Sequence, residues 1–242
     1  MCTVSFVRAG DSVIITSNRD EHIQRKNAAA PALHEVQDKK IIFPKDAKAG
    51  GTWFAAAGNG TVAVLLNGAF VKHIPSPPYR RSRGLIVLDI VAENDPLLFF
   101  TGKLELEKIE PFTLVLFQSG VLHELRWDGY NKYERLLDDT GNYIWSSATL
   151  YTDEVIGRRK DLFDRFIENG QNISATRVQQ FHSGNGGDEE NGFVINRQTG
   201  MKTFSITQAV VKPATIDFIH TDLLQQRHFE TTLPIQQATI QL

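Results

Sequence analysis

Short β-branched and aromatic runs, broken by turn residues, open the chain. Thr3 to Val7 is followed by Ala9-Gly10-Asp11-Ser12 and then by Val13 to Thr16. This pattern predicts a β-hairpin. With Gly10-Asp11 as the central pair, Cys2 falls opposite Arg19; a turn one residue longer moves the partner to Asn18 or Asp20. Either register returns Ser17-Asn18-Arg19-Asp20-Glu21 to the level of the chain start, where facing side chains interact. A second hairpin is predicted from Gly50-Gly51-Thr52-Trp53-Phe54 through Gly58-Asn59-Gly60 to Thr61–Leu66, ending at Asn67-Gly68. Between the two, residues 27–31 and 34–41 are expected as loop, with a short strand near Ile41-Ile42-Phe43.

Val71 to Pro78 carries three prolines and is expected to be irregular. Ser82 to Glu93 has helical spacing, and Asn94-Asp95-Pro96 ends that helix and caps a second one reaching about Leu104. Phe112–Phe117, Val121–Trp127 and Lys132–Leu136 predict an antiparallel meander, and Tyr143-Ile144-Trp145 a short strand. Asp153 to Glu168 is predicted as a helix with Val155-Ile156, Leu162-Phe163 and Phe166-Ile167 on its buried face. Ser174 to Phe181 follows as a fourth helix, then a Gly-rich acidic loop over 183–191. Gly192–Asn196 with Lys202–Gln208 predicts a hairpin, and Val210–Ile219 and Arg227–Thr232 one strand each. This order does not alternate strand with helix. It predicts an α+β protein, with antiparallel sheets covered by helices in a single domain over 1–242, rather than a doubly wound parallel sheet.

Composition narrows the partners. A formal net charge of −2 gives the chain no general attraction for nucleic acid or an anionic membrane. The basic spots Arg80-Arg81-Ser82-Arg83 and Arg158-Arg159-Lys160 are short and expected to be solvated faces. A single cysteine excludes an internal disulfide and argues against structural zinc. The start lacks a signal-peptide core, and the apolar run Leu85–Ala92 is interrupted by Asp89, so no membrane span and a reducing, cytoplasmic location are expected. Seven scattered histidines form no helical ligand pair, and no Gly-rich loop has the strand–loop–helix context of a phosphate cradle. No metal and no cofactor are therefore expected. Trp53 is expected in the core.

The one cysteine, Cys2, stands directly behind Met1. Removal of Met1 would leave a thiol and a free α-amine on one residue. The thiolate is a good nucleophile, and the amine, ordinarily near pKa 7.7–8.0, takes a proton at neutral pH. Nucleophile and base are then supplied together.

Three sites carry a resemblance: Met1-Cys2, Asn18-Arg19-Asp20-Glu21, and Gly50-Gly51-Thr52-Trp53, with a weaker fourth at Trp145-Ser146-Ser147-Ala148. In these the chain resembles the NRDE-motif proteins, relatives of the transport-and-Golgi-organisation protein. That family is in turn similar to N-terminal nucleophile hydrolases of the penicillin-acylase and bile-salt-hydrolase type. The resemblance implies a four-layer αββα fold and an amidohydrolase acting on a small acyl amide through a thioester. It implies Cys2 as nucleophile, Arg19 beside it to favour the thiolate, Asp20 to orient the amine or Arg19, and Asn67 as an oxyanion donor. It also marks a departure. Ser147 stands where the resembling hydrolases carry a second Asn, and no late catalytic arginine is matched, Arg197 falling in a turn. Glu21 is expected to be a surface charge. Members of the NRDE branch are also connected with haem and lipid handling, so a non-catalytic haem- or lipid-binding role is the alternative.

Overall fold

The computed structural model describes residues 3–170 and 173–236. Cys2 lies outside the described residues. The first hairpin pairs β1 (Thr3–Ala9) with β2 (Ser12–His22), with Thr3 opposite Asn18 and Ala9 opposite Ser12. Gly10 takes the positive φ of 59° that the two-residue turn demands. Next come β3 (Ala32–Val36), β4 (Lys39–Phe43), β5 (Phe54–Ala57) and β6 (Val62–Asn67). Helix α1 (Arg83–Ala92) and α2 (Pro96–Leu98), which runs on into a π-helical turn (Phe99–Lys103), separate these from the meander β7 (Phe112–Gln118), β8 (Val121–Trp127) and β9 (Lys132–Leu137). The chain then forms β10 (Tyr143–Ser146), α3 (Asp153–Glu168), α4 (Ala175–Ser183), β11 (Met201–Val211), β12 (Thr215–Asp222) and β13 (Arg227–Pro234).

Two antiparallel sheets result, one ordered β10-β1-β2-β11-β12-β13 and the other β3-β4-β5-β6-β7-β8-β9. They pack face to face. Phe6 of β1 meets Phe117 of β7 at 5.7 Å between centroids, and Phe54 of β5 meets Phe218 of β12 edge-on at 5.5 Å. Helix α1 buries Ile86, Val87, Ile90 and Val91 against the seven-stranded sheet. Helices α3 and α4 cover the other sheet through Phe163 and Val178, which pack on Val7, Ile14 and Val210. The layers are therefore helix, sheet, sheet, helix. Strand alternation allots side chains between them: Val4, Phe6, Val13 and Ile15 enter the inter-sheet core, and Val7 and Ile14 the helix-covered core.

The structure departs from the sequence reading at four places. β3 was expected as loop; it is an edge strand whose turn, Gln37-Asp38, has φ of 48° and 64° without the Asn-Gly signature that announces such turns. The strand expected over Val210–Ile219 is split by Lys212-Pro213-Ala214, where Lys212 N donates to Thr215 O and Pro213 has no N–H to offer. Gly192–Asn196 makes a single bridge, Asn196 to Lys202, because β11 takes β2 as its neighbour instead. On α3, Leu162 is exposed and Arg159 is buried, the stripe running Arg159, Phe163, Phe166 at helical spacing.

Candidate functional site

Strand β2 carries the motif, and its alternation splits it between the two faces. Arg19 and Glu21 face the seven-stranded sheet; Asn18 and Asp20 face the helices. Between β2, β11 and the helix layer, Asn18 donates through Nδ2 to the carbonyls of His182 (2.9 Å) and Phe193 (3.0 Å). Its Oδ1 then accepts from His182 Nδ1, which leaves Nε2 to accept from the Ser5 hydroxyl at 2.7 Å. All three side chains are fully buried, and burial pushes His182 down to about pKa 3, with the Arg159 charge adding to it. The motif asparagine thus ties α4 to β2.

Asp20 accepts from Thr203 Oγ1 at 2.6 Å and from the Tyr151 hydroxyl at 2.8 Å. The Tyr151 ring lies 3.6 Å from the Arg159 guanidinium, which donates to Thr3 Oγ1. Asp20 therefore does not orient Arg19, because adjacent strand residues point to opposite faces. Arg159, expected on a solvated face, is a completely buried link between α3 and β1.

Arg19 reaches into a cleft of about 190 Å³ between the sheets, lined also by Glu21, Arg25, Asp46, Trp53, Asn67 and Arg83. Its guanidinium lies 4.5 Å from the centre of the Trp53 ring and 5.4 Å from that of Phe204. A bulge in β11, between Thr203 opposite Asp20 and Ser205 opposite Arg19, turns Phe204 to this face. One oxygen of Asp46, Oδ2, accepts from Arg19 and from Arg25, each at 3.1 Å. Its other oxygen accepts from the N–H groups of Lys48 and Ala49 at 3.0 and 2.8 Å. Burial pushes the Asp46 carboxyl up, but the Ala49 N–H, Arg25, the Lys48 N–H and Arg19 outweigh it and hold the pKa below the usual range. Burial lowers the Arg19 pKa, opposed by Glu21 and Asp46. Glu21, expected as a surface charge, is half-buried and 3.7 Å from Arg19, as its i+2 position dictates.

The second motif acts through close approach. A Cβ on Gly51 would lie 2.3 Å from the Gly84 carbonyl carbon, and one on Gly84 2.9 Å from Thr52 O. Paired glycines let the start of α1 lie against residues 50–52, with Thr52 N donating to Gly84 O. This brings Ser82 and Arg83 to the cleft wall. Arg83, like Arg159, departs from the expectation of a solvated face: it pairs with Glu110 at 2.8 Å. Trp53 is buried as expected, yet also lines the cleft.

Asn67 ends β6 at the cleft. Ser147 stands behind it: its hydroxyl donates to the Asn67 carbonyl at 2.9 Å and meets the Thr149 hydroxyl at 3.0 Å. Arg19 and Asn67 therefore share one cleft, Ser147 supports it from outside, and Asp20 belongs to the opposite face. Asp46, Arg25 and Arg83 were missed, since nothing local marks a loop Asp as the partner of a strand Arg. Among the described residues no group of three or more His, Cys, Asp or Glu is placed to hold a metal, and no helix is long and apolar enough to cross a membrane.

The family model for Transport and Golgi organisation 2 matches residues 1–193. The chain belongs to the Transport and Golgi organisation 2 family. Solved structures similar to this family member share its fold. A cysteine-to-alanine mutant of the conjugated bile acid hydrolase from Clostridium perfringens superposes with a TM-score of 0.63 at 10% identity, covering 96% of this chain and 92% of that one. An arginine-to-leucine variant of the same enzyme gives 0.60 at 10% identity, covering 95% and 92%. The Caenorhabditis elegans ortholog of N-acylethanolamine-hydrolyzing acid amidase gives 0.57 at 12% identity, covering 86% and 92%. These are N-terminal nucleophile hydrolase folds, and the αββα sandwich is common to them and to this member of the Transport and Golgi organisation 2 family. No curated protein sequence matches the chain.

Proposed function

We propose that the protein is a cysteine amidohydrolase acting on a small acyl amide, with Cys2 as nucleophile once Met1 is removed. The observation that carries this reading is the β1–β2 register. Thr3 faces Asn18, which keeps the two-residue turn on which the expected partnership of Cys2 and Arg19 depends, and Arg19 enters the cleft beside Asn67. In this reading the Cys2 sulfur attacks the amide carbonyl carbon while its proton passes to the α-amine. The C–N bond then breaks, the amine departs with that proton, and water hydrolyses the thioester to release the acid and restore the thiol. Arg19 favours the thiolate, and Asn67 donates to the developing oxyanion. The solved amidases of the same fold support the reaction class.

Intact-mass measurement is expected to show loss of one methionine. Iodoacetamide is expected to label Cys2 faster in the native than in the heat-unfolded protein, and Cys2→Ser to abolish turnover of acyl amides. Equal labelling rates, or undiminished turnover in Cys2→Ser, defeat the proposal.

A second reading is favoured by Ser147, whose hydroxyl hydrogen-bonds Asn67 O and Thr149 Oγ1, where the resembling hydrolases have another amide donor. On this reading the protein is a non-catalytic haem- or lipid-handling member of its family, with the Cys2 thiolate available to haem iron. Haem titration separates the two: a Soret shift lost in Cys2→Ala, with no amide turnover in the native protein, selects it.

A further inference from the structure

A second and larger cavity lies at the other end of the sandwich. The cleft sits where β5 begins and β6 ends, at Trp53 and Asn67; this groove, of about 1350 Å³, sits where β5 ends and β6 begins, at Gly58 and Asn59. Its walls are the edges of the two sheets. Thr231 and Leu233 of β13 form one wall, and Leu33 of β3 with Ile42 of β4 the other. At one end the sheets are joined, Gln236 N donating to Gly58 O at 2.7 Å and Gly58 N to Lys40 O at 3.0 Å.

Strand parity decides which backbone groups of β13 are open. In an antiparallel ladder the N–H and C=O of one residue point to the same neighbour, and those of the next residue to the opposite side. Ile235 N donates to Ala214 O at 2.8 Å, so the odd-numbered residues of β13 face β12. The N–H and C=O groups of His228, Glu230 and Thr232 therefore point away from the sheet, and among the described residues no backbone group meets them. Pro234 takes the next outward place, where a missing N–H breaks no ladder bond. Side chains alternate as well: Thr231 and Leu233 lie opposite the core residues Phe218 and Ile216 and turn to the groove, while His228, Glu230 and Thr232 lie on the other face. A strand added along this edge would set every second side chain against Leu233, Leu33 and Ile42. Lys39 and Lys40 outnumber Asp38 among the charged residues of the groove, so its field favours a negative occupant.

We infer that this groove docks an extended segment of a partner protein, which adds to β13 as a seventh strand of its sheet and carries apolar side chains at alternate positions and a net negative charge. An unpaired edge supplies main-chain hydrogen bonds to such a segment, and the groove supplies its side-chain selectivity. The site is independent of the reaction proposed for the cleft. The probe is a fluorescein-labelled heptapeptide with valine at every second position, serine between and glutamate at each end. Fluorescence polarisation with the full-length protein is expected to show saturable binding. Methylating the peptide's amide nitrogens in one alternate set is expected to abolish binding, and in the other set to change it less than about twofold, since only one edge of an added strand meets β13. Glu230→Pro removes an outward N–H and leaves the bonds to β12 in place; it is expected to weaken binding about tenfold, against less than about twofold for Glu230→Ala. A denaturation midpoint checks that Glu230→Pro folds, and the methylated peptides test the same bonds without altering the protein.

Absence of saturable binding up to about 1 mM peptide overturns the inference, as does an equal response to the two methylated sets. Equal affinities of Glu230→Pro and Glu230→Ala overturn it as well. A dimer in light scattering that Glu230→Pro dissociates, with no peptide bound, overturns it in favour of a second copy of the chain pairing along β13. Deleting residues 237–242 is expected to leave the affinity within about twofold; a gain of about tenfold or more overturns the inference in favour of the chain's own end as the occupant.

Discussion

Gly51→Ala is expected to destabilise the protein by about 4 kcal/mol or more, with urea unfolding as the measure. The added Cβ would sit 2.3 Å from Gly84 C, 2.5 Å from Leu85 N and 2.6 Å from Gly84 O, all main-chain atoms that no rotamer change can move aside. Relief requires residues 50–52 and the start of α1 to part by about an ångström, since real Cβ contacts of this kind are not made below 3.0 Å. Parting them strains two hydrogen bonds at once: Thr52 N to Gly84 O at 3.0 Å and Asp46 N to Gly51 O at 2.8 Å. The second ties the scaffold to the cleft, because Asp46 holds both Arg19 and Arg25. Gly157→Ala provides the opposite sign. Gly157 lies within α3 with nothing within 4 Å of its would-be Cβ, so the substitution is expected to stabilise by about 0.8–1 kcal/mol through helix propensity. A midpoint for Gly51→Ala within about 1 kcal/mol of the parent refutes the close-approach account of the Gly-Gly-Thr-Trp motif.

That motif shows where the sequence was legible. Hairpin turns carried by Gly10-Asp11 and Asn59-Gly60 announced their strands, and the first turn set the pairing of Thr3 with Asn18, because register follows from turn length. The Gln37-Asp38 turn adopts similar positive φ values from residues that rarely do, so β3 was invisible. Within Asn18-Arg19-Asp20-Glu21, alternation was predictable, but which parity faced the cleft depended on what each sheet face packs against. Hence Glu21 was expected as a surface charge, and Asp20 was left to orient either the amine or Arg19. Arg83 and Arg159 looked like solvated charges because their runs are hydrophilic; their burial is set by Glu110 and by the Tyr151 ring, contributed from elsewhere in the chain. Asp46 could be named only after the tertiary fold brought a loop carboxylate to two arginines.

Lowering the pH from about 7.5 to about 5 is expected to cost the protein about 4 kcal/mol through two histidines. Burial pushes His182 down to about pKa 3 and His220 to about 4, against an ordinary 6.5. For His220, Asp222 pulls upward while Arg19, Arg227 and His228 add to the lowering. Between the two sets of values the unfolded chain binds a proton on each imidazole and the folded chain does not, so stability is intact above about pH 7 and falls as pH drops toward 4. At about pH 5 each histidine contributes about 2 kcal/mol of this loss. The hydrogen bonds explain why His182 resists protonation. Its Nδ1 already donates to Asn18 Oδ1, whose amide orientation is fixed by the carbonyls of His182 and Phe193. A second proton, on Nε2, would face the proton of the Ser5 hydroxyl and the Arg159 charge. His182→Gln removes the titration along with the network. The variant is expected to be less stable than the parent at about pH 7.5, and the gap between them to narrow by about 2 kcal/mol at about pH 5. Denaturant melts of the pair at both pH values measure it. A gap that stays constant would mean that His182 already carries its proton in the folded protein, and the buried Ser5–His182–Asn18 chain would then have to run with its donors and acceptors in another order.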